Sequence, residues 1–317
     1  MALFGRLIVA SMPLAPKFIV KRVAKRYVAG SEMSDAISTM QNLSKEGACF
    51  TVDVLGEEIT SMDEANFFLE EYTRLLRAIE ELGINADISI KPTAFGLLID
   101  RELAYSNIEE ITRKAQECGS YVRLDMEDSR VTQDTIDVML AMHSKGLTNI
   151  GVVLQGRLHR TESDIDSICN SLGGESDFRI CKGIYLEPED IAYTKYSEIV
   201  DATNRAITSM LDKGAYTAIA SHDLPVIEYA LDALRERGLS NNNVEGVRRK
   251  GPGYEFQFLL GVRGNIRRNL ASEGHLTRVY VPYGTRWYEY GIRRLRENPE
   301  VASHVVKALL MPWTNRR

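Results

Sequence analysis

Short apolar runs alternate with longer stretches of helical periodicity along most of this chain. Alternation of this kind favours parallel strands joined by right-handed helical crossovers. Eight such units predict an α/β fold, a (β/α)8 TIM-type barrel. An open doubly wound sheet is the alternative, but the first run is not followed by a GxGxxG motif. The predicted strands cover Ala48–Leu55, Ala86–Lys91, Tyr121–Asp125, Ile150–Gln155, Phe178–Gly183, Tyr216–Ser221, Tyr254–Leu260 and Thr277–Pro282.

Between these runs, apolar residues recur at helical spacing. One further helical region, residues 34–45, precedes the first predicted strand. We therefore expect an N-terminal helical extension over residues 1–45 and a barrel domain over residues 46–317. The other predicted helices cover 63–82, 108–118, 133–144, 162–172, 198–213, 224–237, 262–273, 286–297 and 299–310.

Charge and cysteine spacing exclude several classes of function. The net charge is −5, so a nucleic-acid partner is not expected. The four cysteines form no CxxC pair, which argues against a zinc knuckle or a disulfide framework and fits reduced thiols in the cytoplasm. Residues 1–30 mix apolar and basic residues and predict either a helix packed on the main domain, which we favour, or a membrane-surface helix.

Polar residues stand where the predicted strands end. In a barrel of this kind the carboxyl ends of the strands form the active-site face. Cations and carboxylates would therefore meet at one rim, which suits an anionic or zwitterionic ligand. The residues are Glu57, Glu58, Lys91, Asp125, Gln155, Arg179, Lys182, Ser221, His222 and Tyr280.

A second cationic pattern lies near the C-terminus. Tyr290, Arg293, Arg294 and Glu297 would share one face of a helix. Two adjacent guanidinium groups need an anion, and arginine binds a carboxylate through two parallel hydrogen bonds. The pattern indicates a pocket for a small carboxylic acid, although a solvated helix face with ordinary charge pairs has the same spacing.

Other catalytic motifs are missing from the sequence. The five histidines include no HxxxH pair, so no metal site is expected, and the chain has neither a GxSxG elbow nor a P-loop. His222 alone is more often a hydrogen-bonded structural histidine than a catalytic one.

An ordered set of segments resembles the proline dehydrogenases, and specifically their short monofunctional bacterial form. The likeness runs from about residue 35 to about residue 310. The matching segments are LGE at 55–57, SIKPTAFG at 89–96, RLDMED at 123–128, RICKGIY at 179–185, SHD at 221–223, EFQFLLGVR at 255–263, VYVPYG at 279–284 and YxxRRxxE at 290–297.

The resemblance implies a distorted barrel that holds FAD, with L-proline against the flavin. The implied reaction is oxidation to Δ1-pyrroline-5-carboxylate by hydride transfer from C5 to flavin N5, with electrons passed to a membrane quinone. This would be the first step of proline catabolism to glutamate, and a separate pyrroline-5-carboxylate dehydrogenase would act downstream. The expected location is the cytoplasm, with peripheral contact at the inner face of the cell membrane left open.

The resemblance also implies roles for individual residues. Lys91, Arg293 and Arg294 would clamp the proline carboxylate, with Tyr280, Tyr290 and Leu259 walling the pocket. Asp125 and Arg179 would be catalytic, Arg179 lying near flavin N5. Glu57 would pair with Arg293 when a lid closes, and Glu297 would hold the arginine helix. FAD would be held by Met126, Gln155, Arg179, Lys182, Gly183, Ile184, Ser221 and His222.

Three alternatives stay open at this point. The first is an imino-acid oxidase that prefers hydroxyproline, against which Tyr280 argues because a ring hydroxyl would clash with it. The second is a non-catalytic proline-binding or DNA-binding regulator. The third is an unrelated barrel lyase or aldolase that forms a Schiff base on Lys91.

Overall fold

A computed structural model describes residues 24–239, 253–288 and 290–292. Within these residues eight parallel strands close into a barrel in sequence order, and β1 pairs with β8. Closure confirms the predicted (β/α)8 architecture and excludes the open doubly wound sheet. The strands are β1 Cys49–Val54, β2 Ala86–Ile90, β3 Val122–Leu124, β4 Ile150–Gln155, β5 Asp177–Cys181, β6 Tyr216–Ala220, β7 Gly253–Leu259 and β8 Thr277–Tyr283.

Helices cover the outside of the barrel. Their inner faces carry apolar residues; in α2, for example, Phe68, Tyr72 and Leu75 are buried. The described helices are α1 Met33–Ser44, α2 Met62–Glu81, α3 Arg101–Glu117, α4 Thr132–Ser144, α5 Thr161–Leu172, α6 Tyr196–Asp212, α7 Leu224–Glu236 and α8 Gly264–Ser272.

Helix α3 and the end of strand β5 differ from the sequence expectation. Helix α3 begins at Arg101 rather than at residue 108, because the Asp100 side chain caps it by accepting the Leu103 N–H at 3.0 Å. Strand β5 ends at Cys181 rather than at Gly183. Gly183 has a φ of +91°, a conformation that ends the extended chain and that glycine adopts readily. Lys182 and Gly183 therefore belong to the loop at the strand's carboxyl end.

Helix α1 packs against the barrel wall at β8 and β1. Ala36 and Met40 are fully buried there and join the same apolar core as the barrel strands. The division of the chain at residue 45 stays a prediction. Residues 287–288 and 290–292 are helical, as expected for the start of the segment 286–297. Arg293, Arg294 and Glu297, the predicted helix 299–310 and the first 23 residues lie outside the described residues.

Candidate active site

A cavity of about 890 Å³ opens at the carboxyl ends of the strands. That volume is in the range of sites for drug-sized or larger ligands. Most of the residues predicted from the strand ends, and most of those that the family resemblance added, line it. They are Glu57, Lys91, Asp125, Met126, Gln155, Arg179, Lys182, Gly183, Ile184, Ser221, His222, Leu259, Tyr280 and Tyr290.

Asp125, immediately after β3, lies at the centre of the cavity's polar groups. Its Oδ1 accepts hydrogen bonds from Arg179 Nη1 at 2.6 Å and from Ser89 Oγ at 2.9 Å. Its Oδ2 accepts from the Tyr280 hydroxyl at 2.7 Å and lies 3.8 Å from Lys91 Nζ. One carboxylate thus joins side chains from β2, β5 and β8 and from the loop that begins at Lys91.

Lys91 follows β2 and is paired below the cavity with Asp53 of β1. Its Nζ donates to Asp53 Oδ1 at 2.8 Å. Burial alone would lower the Lys91 pKa, but the charges of Asp53 and Asp125 outweigh burial and hold the pKa above its ordinary value. Lys91 is therefore a protonated ammonium group that is held in place at the site.

Tyr280 has a second contact besides its bond to Asp125. Its ring lies 5.5 Å from the Arg179 guanidinium carbon, within the range of a cation–π contact. Burial raises the pKa of its hydroxyl well above the ordinary value, and the negative charge of Asp125 raises it further. The hydroxyl is accordingly a hydrogen-bond donor at neutral pH, with its ring fixed in place.

Several of the residues predicted to hold a cofactor stand at the carboxyl ends of β4, β5 and β6. Gln155 Nε2 donates to the Glu127 carbonyl at 2.8 Å, which fixes the amide. His222 Nε2 accepts the Leu259 N–H at 3.0 Å, so this histidine anchors the end of β7 as well as lining the cavity. Lys182 pairs with Asp223 and lies 5.0 Å from the Tyr196 ring centroid.

The segment after β8 turns over one edge of the cavity. Tyr290 lines the cavity, and Arg286 Nη1 donates to the Glu57 carbonyl at 3.3 Å. Glu57 also lines the cavity. Its predicted pairing with Arg293 stays a prediction, because Arg293 lies outside the described residues.

Sequence reasoning missed several residues of the site. Asp53, Ser89 and Gln257 lie inside strands and point inward, and Arg157 lines the cavity from the loop after β4. A signal existed for Asp53 and Gln257, since each is a polar residue directly flanked by apolar residues in its strand. Their partners depend on barrel register and could not be read from spacing.

Among the described residues, no three His, Cys, Asp or Glu side chains are grouped so that they could hold a metal ion. None of the described helices combines the length and apolar character needed to cross a bilayer.

Glu127 is a buried carboxyl group beside the cavity. Thr93 donates to it twice, from Oγ1 at 2.5 Å and from N–H at 3.2 Å. Burial raises the Glu127 pKa to about 7. The folded protein thus binds this proton more tightly than the unfolded chain, where the pKa of glutamate is about 4.3. The protonated Glu127 carboxyl group stabilises the fold fully below the pKa of the unfolded state. This stabilisation is lost as pH rises through the pKa of the folded state.

We therefore expect Glu127→Gln to remove a pH dependence of stability. Between about pH 4 and pH 8, the wild-type free energy of unfolding should fall relative to the variant by roughly 3 kcal/mol. Urea unfolding at several pH values measures the difference, with Glu70→Gln, at an exposed site on α2, as the control. Parallel pH profiles for the wild type and Glu127→Gln would contradict the assignment.

A closed barrel whose cavity gathers ionised groups at the carboxyl ends of its strands defines a TIM-barrel enzyme. A family model described as proline dehydrogenase matches residues 36–307. Proline dehydrogenase 2 of Bacillus subtilis is 34% identical over 286 residues, covering 90% of each chain. Proline dehydrogenase of Deinococcus radiodurans is 32% identical over 292 residues, covering 91% of this chain and 90% of that one. The chain belongs to the proline dehydrogenase family.

A solved structure supports the fold. The proline utilization A protein (PutA) of Bdellovibrio bacteriovorus, inactivated by N-propargylglycine, superposes with a TM-score of 0.79 at 22% identity. The match covers 87% of this chain and 33% of that longer chain.

Proposed function

We propose that this enzyme oxidises L-proline to Δ1-pyrroline-5-carboxylate with FAD as the bound acceptor. The observation that carries the proposal is the cluster of Lys91, Asp125, Arg179 and Tyr280 in the cavity. Two cations stand beside one carboxylate and a tyrosine ring, and a zwitterionic amino acid with an apolar ring presents the matching groups. Family membership supports the same substrate.

The cavity has features that fit FAD. Its lining includes the cations Arg157, Lys182 and Arg263, which suit a diphosphate. Arg157 Nε is buried and has no hydrogen-bond partner among the described residues, so a ligand acceptor would satisfy it. A Cβ at Gly183 would stand 2.7 Å from Gln155 Oε1, so glycine leaves the backbone there close to the cavity. We propose Met126, Gln155, Arg179, Lys182, Gly183, Ile184, Ser221 and His222 as the residues that hold the cofactor.

Bound FAD would supply the two-electron acceptor for the hydride that leaves proline C5. Lys91, with Arg293 and Arg294, would bind the substrate carboxylate and thereby fix the ring's orientation. Tyr280, Tyr290 and Leu259 would wall the ring. Arg179 would place its positive charge beside the part of the flavin where electron density increases. Asp125 would hold Arg179, Lys91 and Tyr280 in one arrangement.

The same chemistry suggests partners. We propose a membrane quinone as the final electron acceptor, with peripheral membrane contact, and a separate pyrroline-5-carboxylate dehydrogenase that consumes the product.

Two alternatives are less well supported by the geometry. A Schiff-base lyase needs a neutral lysine, whereas the pKa of Lys91 is held above its ordinary value by Asp53 and Asp125 despite burial. A hydroxyproline oxidase needs space beside the ring, but the Tyr280 hydroxyl is fixed on Asp125 at 2.7 Å.

The proposal predicts that purified protein has a flavin absorption spectrum that bleaches when L-proline is added without oxygen. Bleaching by proline, and none by a matched D-proline control, tests cofactor and substrate together. A flavin that stays oxidised with L-proline would reject the substrate, and hydroxyproline would be tried next. A colourless protein that FAD does not reconstitute would reject the cofactor.

A further inference from the structure

Gln257 of β7 lies in the barrel interior between the cavity and a deeper group of charges. Its Oε1 accepts a hydrogen bond from Arg179 Nε at 2.5 Å. Its Nε2 donates to Glu255, two residues earlier on the same strand. Gln257 is 3% exposed and Glu255 is fully buried, so neither exchanges these bonds for water.

Glu255 fixes which way the Gln257 amide points. The carboxylate is surrounded by donors: Arg278 Nε and Nη2 at 2.8 and 3.0 Å, and the Tyr216 hydroxyl at 3.1 Å. The Arg278 guanidinium donates to both of its oxygens, so Glu255 acts as an acceptor in this cluster. A guanidinium can only donate, so the amide directs its carbonyl at Arg179 and its NH2 group at Glu255.

Arg179 is held from two sides by these contacts. Gln257 accepts from Nε, whereas Asp125 and Ser89 accept from Nη1 at 2.6 and 3.0 Å. Bonds at the two ends of a planar guanidinium define the orientation of its plane. Without the Gln257 carbonyl, Nε–H would be a buried donor without its acceptor, and the guanidinium could turn about the Asp125 contact.

We propose that Gln257 is a positioning residue for the Arg179 guanidinium, with its own amide oriented by Glu255. The inference rests on the proposed function, in which Arg179 lies beside the bound flavin. Gln257 acts through Arg179, and its effect on the reaction depends on where that charge stands.

Gln257→Leu should lower kcat by about 10-fold to 100-fold, the range expected when a hydrogen bond to a charged group is lost. The midpoint potential of bound FAD should become more negative. Tyr216→Phe is the matched control, because it also removes one donor from Glu255 but leaves the Gln257–Arg179 hydrogen bond in place. Equal effects of the two variants on kcat and potential would show that Gln257 only stabilises Glu255, and would overturn the proposal.

A second measurement is independent of flavin and substrate. In 15N-arginine-labelled protein, the Arg179 Nε–H signal is identified by its loss in Arg179→Lys. Solvent exchange of this proton should accelerate at least about 10-fold in Gln257→Leu and stay slow in Tyr216→Phe. If Gln257→Leu does not fold, the same exchange measurement is made on Gln257→Met.

Unchanged exchange in the Gln257 variant would overturn the positioning role even if the enzyme oxidises proline. If the wild type binds no FAD or ignores proline, the proposed function fails, whereas the exchange result still decides the Arg179–Gln257 contact.

Discussion

Arg179→Met is expected to lower kcat by roughly 10²–10³-fold, the cost of removing one preorganised electrostatic group from an active site. Arg179 is buried, bonded to Asp125 at 2.6 Å and placed over the Tyr280 ring. Methionine approximates the length of the aliphatic stem but places no positive charge near the proposed hydride acceptor. Stopped-flow reduction of the flavin by L-proline measures the effect on the chemical step.

Arg179→Lys is the matched variant, because it keeps the charge and loses the planar set of donors. We expect a smaller loss of kcat for lysine than for methionine. Asp125 keeps Tyr280, Ser89 and Lys91 as neighbours in both variants, so the fold should persist. A methionine variant that retains bound FAD and the wild-type kcat would show that the charge of Arg179 does not assist the reaction.

Strand ends could be predicted from the sequence because the signal there is local. Lys91, Asp125 and Gln155 stand at or beside the ends of apolar runs, and a barrel places such ends at one rim. The convergence of these residues on one cavity follows from the topology alone. The Tyr280 hydroxyl bond to Asp125, 155 positions away, depends on how two strands tilt, and no spacing encodes it.

The polar residues inside the barrel were harder to predict for a physical reason. Asp53 and Gln257 lie on buried strands and point into the barrel. The alternation of side chains along a strand predicts which face each residue is on, but not how deep it lies or which residue it contacts. Glu127 was noted only within the motif at 123–128, since its raised pKa arises from burial that a sequence does not show. The proposal of FAD likewise came from the family resemblance, because flavin in a barrel has no local fingerprint comparable to GxGxxG.

The second large effect is expected at Lys91, to which we assign two separable roles. Lys91→Met should raise the KM for L-proline about 10-fold to 100-fold, if loss of the carboxylate contact costs about 1.4–2.8 kcal/mol. It should also destabilise the fold by about 3–5 kcal/mol, the usual cost of leaving one partner of a buried ion pair alone. That partner is Asp53, which is 1% exposed and bonded to Lys91 at 2.8 Å.

The double variant Lys91→Met/Asp53→Asn separates the two roles. Asparagine removes the uncompensated charge, so most of the lost stability should return in urea unfolding, whereas the KM should stay high. Asp53→Asn alone is the matched control, since it keeps the Lys91 ammonium beside Asp125 at 3.8 Å. Recovery of both stability and KM in the double variant would show that Lys91 only neutralises Asp53. Because Lys91 is a cation held from below by one carboxylate and facing the cavity, we expect stability alone to recover.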